Sequence, residues 1–119
     1  MAERPIKNKL TAIGMSVDNL IPSSAWGGCK ADAQTVIEHL TKKTKLCKVG
    51  EPLRLLASDF DAPTDRLTIY SVKAGGLTQV DYHTIALMDD EIVVDLGREK
   101  GNRVFYDQDY FTLIRQLQR

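Results

Sequence analysis

The sequence predicts an α+β domain, with helices at both ends and an antiparallel sheet between them. Three observations carry this. Apolar residues recur at three- and four-residue intervals up to Lys43. After Gly50-Glu51-Pro52 the period shortens towards two, and turn residues separate the runs. The last dozen residues return to helical spacing. Helices, then a run of strands, then one helix is not the alternation expected of βαβ units.

Taken in order, Ile6, Leu10, Ile13, Val17 and Leu20 predict one helix, or two short ones broken near Gly14. Pro22 to Gly28 reads as a loop. A second helix is expected from Cys29 or Lys30 to about Lys43, with Ala33, Val36, Ile37 and Leu40 as its apolar stripe. Leu53 to Ala57 is a predicted strand, Asp59 to Asp65 a turn, and Leu67 to Val72 a strand rich in β-formers. Ala74-Gly75-Gly76 signals a turn. Thr78 to Met88 and Glu91 to Leu96 read as two strands joined at Asp89-Asp90, and Arg103 to Tyr106 as a short further strand. Asp107 is the expected N-cap of a final helix, Gln108 to Gln118, which turns Phe111, Leu113, Ile114 and Leu117 inward.

The chain has 119 residues, enough for a single domain spanning 1–119. At that size one core buries roughly two-thirds of the unfolded surface, so folding needs no disulfide or metal. Lys plus Arg is 16 and Asp plus Glu is 16, a formal net charge of zero. Proteins that wrap phosphate backbones usually carry a basic excess, so no nucleic-acid partner is expected. No apolar run reaches membrane-spanning length, and Met1 to Pro5 lacks the apolar stretch of a secretory signal. Two cysteines, Cys29 and Cys47, are too few for a disulfide framework, and both are expected to be reduced, as in a cytoplasm. No metal-ligand spacing and no phosphate-loop pattern occurs.

The informative stretch is Gly27-Gly28-Cys29 at a helix start. Unpaired N–H groups and the positive end of the dipole favour a thiolate there. The same N–H groups can receive the oxygen of a tetrahedral intermediate. The glycines let the chain turn and a substrate approach, so Gly28 and Trp26 are candidates for lining the substrate cleft. The thiolate needs a proton donor, and the chain has two histidines. His39 lies off the apolar stripe and is expected to face solvent. His83 lies on a strand and is the better partner. Asp95 follows Ile92-Val93-Val94 and is the candidate for orienting the imidazole. Strand parity sets a condition: His83 and Asp95 share a face only if the loop between their strands has an odd number of residues, such as Met88-Asp89-Asp90. An odd loop is predicted.

These motifs, with Tyr82-His83-Thr84-Ile85-Ala86-Leu87, Val94-Asp95 and the closing Val104-Phe105-Tyr106…Tyr110, resemble the papain-like cysteine hydrolase superfamily. More narrowly, they resemble the small papain-fold toxin domains of bacterial polymorphic toxins. The resemblance covers Trp26 to about Phe111. It implies a helix-borne nucleophile (Cys29), a base (His83) and an orienting acid (Asp95), which cleave or deamidate a protein amide without a cofactor. It also implies a cognate immunity protein as partner, and action in a cytoplasm, whether the cell's own or that of a target cell. The chain lacks a glutamine a few residues before Cys29, which leaves the second oxyanion donor unassigned; Gln34 lies inside the helix and Gln79 in the sheet, and neither is assigned the role.

Plainer readings stand beside these. A lone cysteine is more often a small buried hydrophobe, which is the reading for Cys47. His83 as a hydrogen-bonded strand residue and Asp95 as a turn residue are the plain alternatives at those positions. The Lys42-Lys43-Thr44-Lys45…Lys48 cluster reads as the solvated end of a helix, and alternatively as a docking patch. Two rival functions follow: a cell-wall peptide amidase of the NlpC type, and a non-enzymatic binding or immunity module.

Overall fold

The computed structural model describes residues 3–23 and 27–119, with side chains from Lys9 onward. Two helices, α1 (Glu3–Val17) and α2 (Cys29–Glu38), cover one face of a four-stranded sheet. The strands are β1 (Gly50–Leu55), β4 (His83–Met88), β5 (Ile92–Val94) and β6 (Val104–Tyr106), antiparallel throughout and ordered β1-β4-β5-β6. A separate hairpin, β2 (Leu67–Ser71) with β3 (Gly76–Val80), and the helix α3 (Asp107–Leu117) lie on the other face. The predicted α+β class, with an antiparallel sheet and a C-terminal helix, is what the molecule adopts.

Alternation along the strands divides the interior in two. Ala86, Met88, Ile92 and Val94 pack under Ile13 and Val17 of α1 and Ala33, Val36 and Leu40 of α2 or its continuation. Ile85 and Val93 face the opposite way, towards Leu67 and Ile69 of the hairpin and Tyr110 and Ile114 of α3. A sheet buried on both faces accounts for the near-continuous apolar run Ile92-Val93-Val94, all three of which are buried.

Several elements differ from the sequence expectation. Of the two forms expected for the first segment the single helix is adopted, unbroken at Gly14, whose carbonyl accepts from the Asp18 N–H, but it ends at Val17, short of Leu20. The second helix does run to Lys43, but its last turn, His39–Lys43, widens to a π-helical turn. The strand expected at Leu53 to Ala57 begins earlier, at Gly50, and Ala57–Phe60 forms a 3₁₀ turn instead. The single strand expected over Thr78 to Met88 is divided at Asp81-Tyr82, and its halves belong to different sheets. Asp107 is not the N-cap. It is the first helical residue, Tyr106 holds the cap position, and the Asp107 carboxylate accepts the Gln108 N–H. Among the described residues no helix is long and apolar enough to cross a membrane.

Candidate active site

The first turn of α2 brings Cys29 to the end of β4. Gly28 takes the N-cap position, and its carbonyl accepts the Asp32 N–H. Gly27 has φ of 76°, a left-handed conformation that favours glycine and turns the chain into the helix. Among the described residues no side chain caps this helix, and helix geometry leaves the Cys29 N–H without an intrahelical acceptor. Trp26 lies outside the described residues.

The loop between β4 and β5 is Asp89-Asp90-Glu91, since Met88 pairs with Ile92. It is odd, as parity required, though it begins one residue later than Met88. Asp89 and Asp90 both adopt positive φ, which aspartate tolerates better than most residues. His83 and Asp95 therefore share a face of the sheet, the one α3 covers, and Nε2 of His83 lies 3.1 Å from Oδ1 of Asp95. Thr84 points to the opposite side, beneath α2. Because His83 is the first residue of β4, its ring sits at the sheet's rim, where Cys29 reaches it. With Nε2 engaged by Asp95, Nδ1 is the ring nitrogen left for the sulfur.

Three groups favour the thiolate: the His83 ring, the Thr84 N–H and the Thr84 hydroxyl. The hydrogen bond from His83 is the largest influence, and together they hold the thiol below its ordinary range against the opposing effect of burial. Burial also opposes a charged His83, but the Asp95 charge, its hydrogen bond and the contact with Cys29 outweigh this and raise the imidazole to about 10. Burial works against ionisation of Asp95 as well, and His83, Tyr110 and the Gly97 N–H together depress it nonetheless. All three directions favour a thiolate–imidazolium pair backed by a carboxylate.

Two members of this group were not found by sequence reasoning. Tyr110, fully buried on α3, donates its hydroxyl to Oδ2 of Asp95 at 2.7 Å. Its signal was the spacing Tyr110, Ile114, Leu117, which shares Ile114 and Leu117 with the predicted inward face. Asp32 lies one turn beyond Cys29, half-buried, and accepts the Ser23 N–H at 2.7 Å; burial raises its carboxyl. It ties the loop before the nucleophile to the helix. His39 does not face solvent as expected. It is half-buried and lies 2.6 Å from the Ser16 hydroxyl. Cys47 is buried, in keeping with its structural reading.

A cleft of about 810 Å³ opens over the sulfur. Cys29 and Asp32 of α2, Ser71, Thr78 and Val80 of the hairpin, and His83 at the start of β4 line it. Gly28 lines it too, as expected of a residue beside the nucleophile; so does Gln79, whereas Gln34 does not. Among the described residues no group of three or more His, Cys, Asp or Glu side chains is arranged to hold a metal ion.

Comparison with known proteins returned no matching family model, no matching curated protein and no matching solved structure.

Proposed function

We propose that the protein is a cysteine-dependent amide hydrolase, acting on a protein as a peptidase or a glutamine deamidase. The observation that carries the reading is the arrangement of Cys29 at the helix start and His83 at the sheet's rim on one cleft, with Asp95 3.1 Å from the ring and the His83 interaction favouring the thiolate. The Cys29 thiolate attacks the carbonyl carbon, and the negative oxygen is received by the Cys29 N–H at the helix terminus. The His83 imidazolium then gives its proton to the leaving nitrogen, the C–N bond breaks, and a thioester remains on the sulfur. Water attacks the thioester carbon while His83 takes a proton from it. The acid leaves, and the thiolate–imidazolium pair is restored. Asp95 touches no reacting atom; it positions the ring and balances its charge. Every step is a proton or acyl transfer, and these side chains carry all of them.

The resemblance to polymorphic-toxin domains adds a setting: an effector acting in a cytoplasm, with an immunity protein that covers the cleft. Expression in bacteria tests both parts. The parent is expected to slow growth and Cys29→Ala to restore it. An equally inhibitory Cys29→Ala removes the thiol from the mechanism. Slow, equal alkylation of Cys29 and Cys47 by iodoacetamide points instead to a binding module.

A further inference from the structure

The hairpin that forms one side of the cleft has two unlike edges. The outer edge of β2 is closed at Thr68 and, beyond the strand, at Val72, but not, among the described residues, at Tyr70. Thr68 turns its N–H and its carbonyl away from β3, and the Gln118 side chain takes both, at 2.9 and 2.7 Å. Further along, the Val72 N–H donates to the Gly97 carbonyl. Outward groups at Thr68 fix the ladder's phase: Leu67–Val80, Ile69–Thr78 and Ser71–Gly76 are the hydrogen-bonded pairs, and Leu77 and Gln79 of β3 point outward. The Gln79 carbonyl accepts from Arg66. Among the described residues the Leu77 N–H, the Leu77 carbonyl and the Gln79 N–H have no partner, and β3 has β2 alone beside it. Leu77 is 62% exposed and lies off the cleft, whereas Thr78, Gln79 and Val80 line it.

Such an edge is a template for another strand. Its position gives it a use, because β3 is followed after only Asp81 and Tyr82 by His83, and this stretch from Thr78 to Thr84 lines the cleft throughout. We propose that the open edge of β3 binds the substrate as an added strand, so that the Cys29 site, read as an amide hydrolase, takes an extended polypeptide segment held by its main chain. The Leu77 and Gln79 N–H groups and the Leu77 carbonyl pair with the segment's backbone, and Thr78 and Val80 meet alternate side chains. Main-chain pairing makes recognition tolerant of sequence and demanding of conformation. Folded proteins are then poor substrates except at extended loops and termini.

Leu77→Pro is the discriminating variant. It deletes an outward N–H without touching the β2–β3 ladder, and proline is tolerated where an edge N–H faces solvent. Leu77→Ala removes the exposed side chain and keeps the N–H. The probe is an epoxysuccinyl reagent carrying mixed-sequence tripeptides on both carboxyls, set against the bare epoxysuccinate. The Cys29 thiolate opens the ring, and the ring oxygen takes the His83 proton. On the parent, the peptide reagent is expected to label Cys29 at least about tenfold faster than the bare one, the scale of one or two lost pairing interactions. Leu77→Pro should erase that advantage and Leu77→Ala keep it. N-methylation of the peptide amides should erase it on the parent, a result independent of how any variant folds. An advantage that survives both Leu77→Pro and N-methylation overturns the proposal, as does a parent with no advantage at all. Iodoacetamide separates the two layers of the argument: if it fails to select Cys29, the hydrolase reading itself falls, whereas normal selection without a peptide advantage removes only the edge.

Discussion

The two thiols of this chain mark opposite ends of one helical segment, Cys29 in its first turn and Cys47 beyond its last, and each belongs to a group with a carboxylate and a cation. At the start of α2 the order is thiol, cation, carboxylate: Cys29, His83, Asp95. Beyond the π-helical turn it is thiol, carboxylate, cation: Cys47, Asp89, Lys9. The exchange of the middle group reverses the chemistry. His83 donates to Cys29 and favours the thiolate. At Cys47 burial is the largest influence, and the Asp89 charge and its hydrogen bond add to it, lifting the thiol to about 11. The contrast teaches that burial raises both thiols and that the group beside the sulfur decides the outcome: His83 overcomes burial at Cys29, and Asp89 adds to it at Cys47. Asp89 has a structural task instead: it accepts the Lys48 and Val49 N–H groups and pairs with Lys9, fixing the β4–β5 loop to the chain that leads into β1.

The largest effect expected is in alkylation. At pH 7 a thiol with a pKa near 11 is thiolate to about one part in ten thousand, so iodoacetamide should modify Cys29 at least about a hundredfold faster than Cys47. His83→Gln removes the cation from the sulfur and should slow Cys29 by at least about tenfold while leaving Cys47 unchanged. Peptide mapping after brief labelling reads both rates. Comparable rates at the two sites, or a His83→Gln variant as fast as the parent, would show that the contrast is not electrostatic.

The dependence of stability on pH is expected next. His83 is raised from 6.5 to about 10, so its contribution is complete below pH 6.5 and is lost as pH rises through 10. Cys29 is lowered from 9.0, so its contribution is complete above pH 9.0 and is lost as pH falls through its depressed value. Where these ranges overlap, the folded protein holds its proton on His83 and the unfolded chain holds it on Cys29. The numbers of bound protons match and the two slopes cancel. The parent should therefore show a plateau approaching pH 9. Cys29→Ala removes one slope and should decline across the same interval, by at most about 1.4 kcal/mol per pH unit. Urea unfolding at several pH values measures this. Parallel curves for parent and Cys29→Ala would mean that the proton is not shared between sulfur and ring.

How much of this was legible in the sequence follows from which signals are local. Gly27-Gly28-Cys29 announced a helix start because glycine's freedom, the terminus and the apolar stripe act within one segment. The odd loop was legible because side-chain alternation along a strand is fixed by geometry: once His83 and Asp95 were paired, parity followed. The division at Asp81-Tyr82 was not legible, since Thr78, Val80, Tyr82, Thr84, Ala86 and Met88 keep an unbroken period of two with no glycine or proline between them. Only tertiary packing sends one half to the hairpin and the other to the main sheet. Arg103 was read simply as the start of a strand. It is buried, and it donates to the carbonyls of Arg98, Val17 and Leu20, acceptors that come together only in the folded chain.

Tyr110 and Lys9 extend the comparison to the outer member of each group. Tyr110→Phe leaves Oδ2 of Asp95 buried without its donor, at a cost of about 1–3 kcal/mol. Phenylalanine keeps the ring beside Phe105 and Phe111, so the loss is confined to the hydroxyl.

The smallest effect belongs to Lys9→Met. The Lys9 side chain is 30% exposed, so water screens its pair with Asp89, and Asp89 keeps the Lys48 and Val49 N–H groups when the lysine is gone. A loss of about 0–1 kcal/mol is expected in urea unfolding, with Cys29 alkylation unchanged. A loss as large as that of Tyr110→Phe would mean that the Asp89 site carries as much of the fold's stability as the buried relay. A change in Cys29 reactivity would mean that the two ends of the helix are coupled. The groups behind Cys29 are set apart from Cys47: Cys47, α1 and α2 pack on one face of the sheet, whereas Tyr110, His83 and Asp95 lie on the other, with the main-chain ladder of β4 and β5 between them.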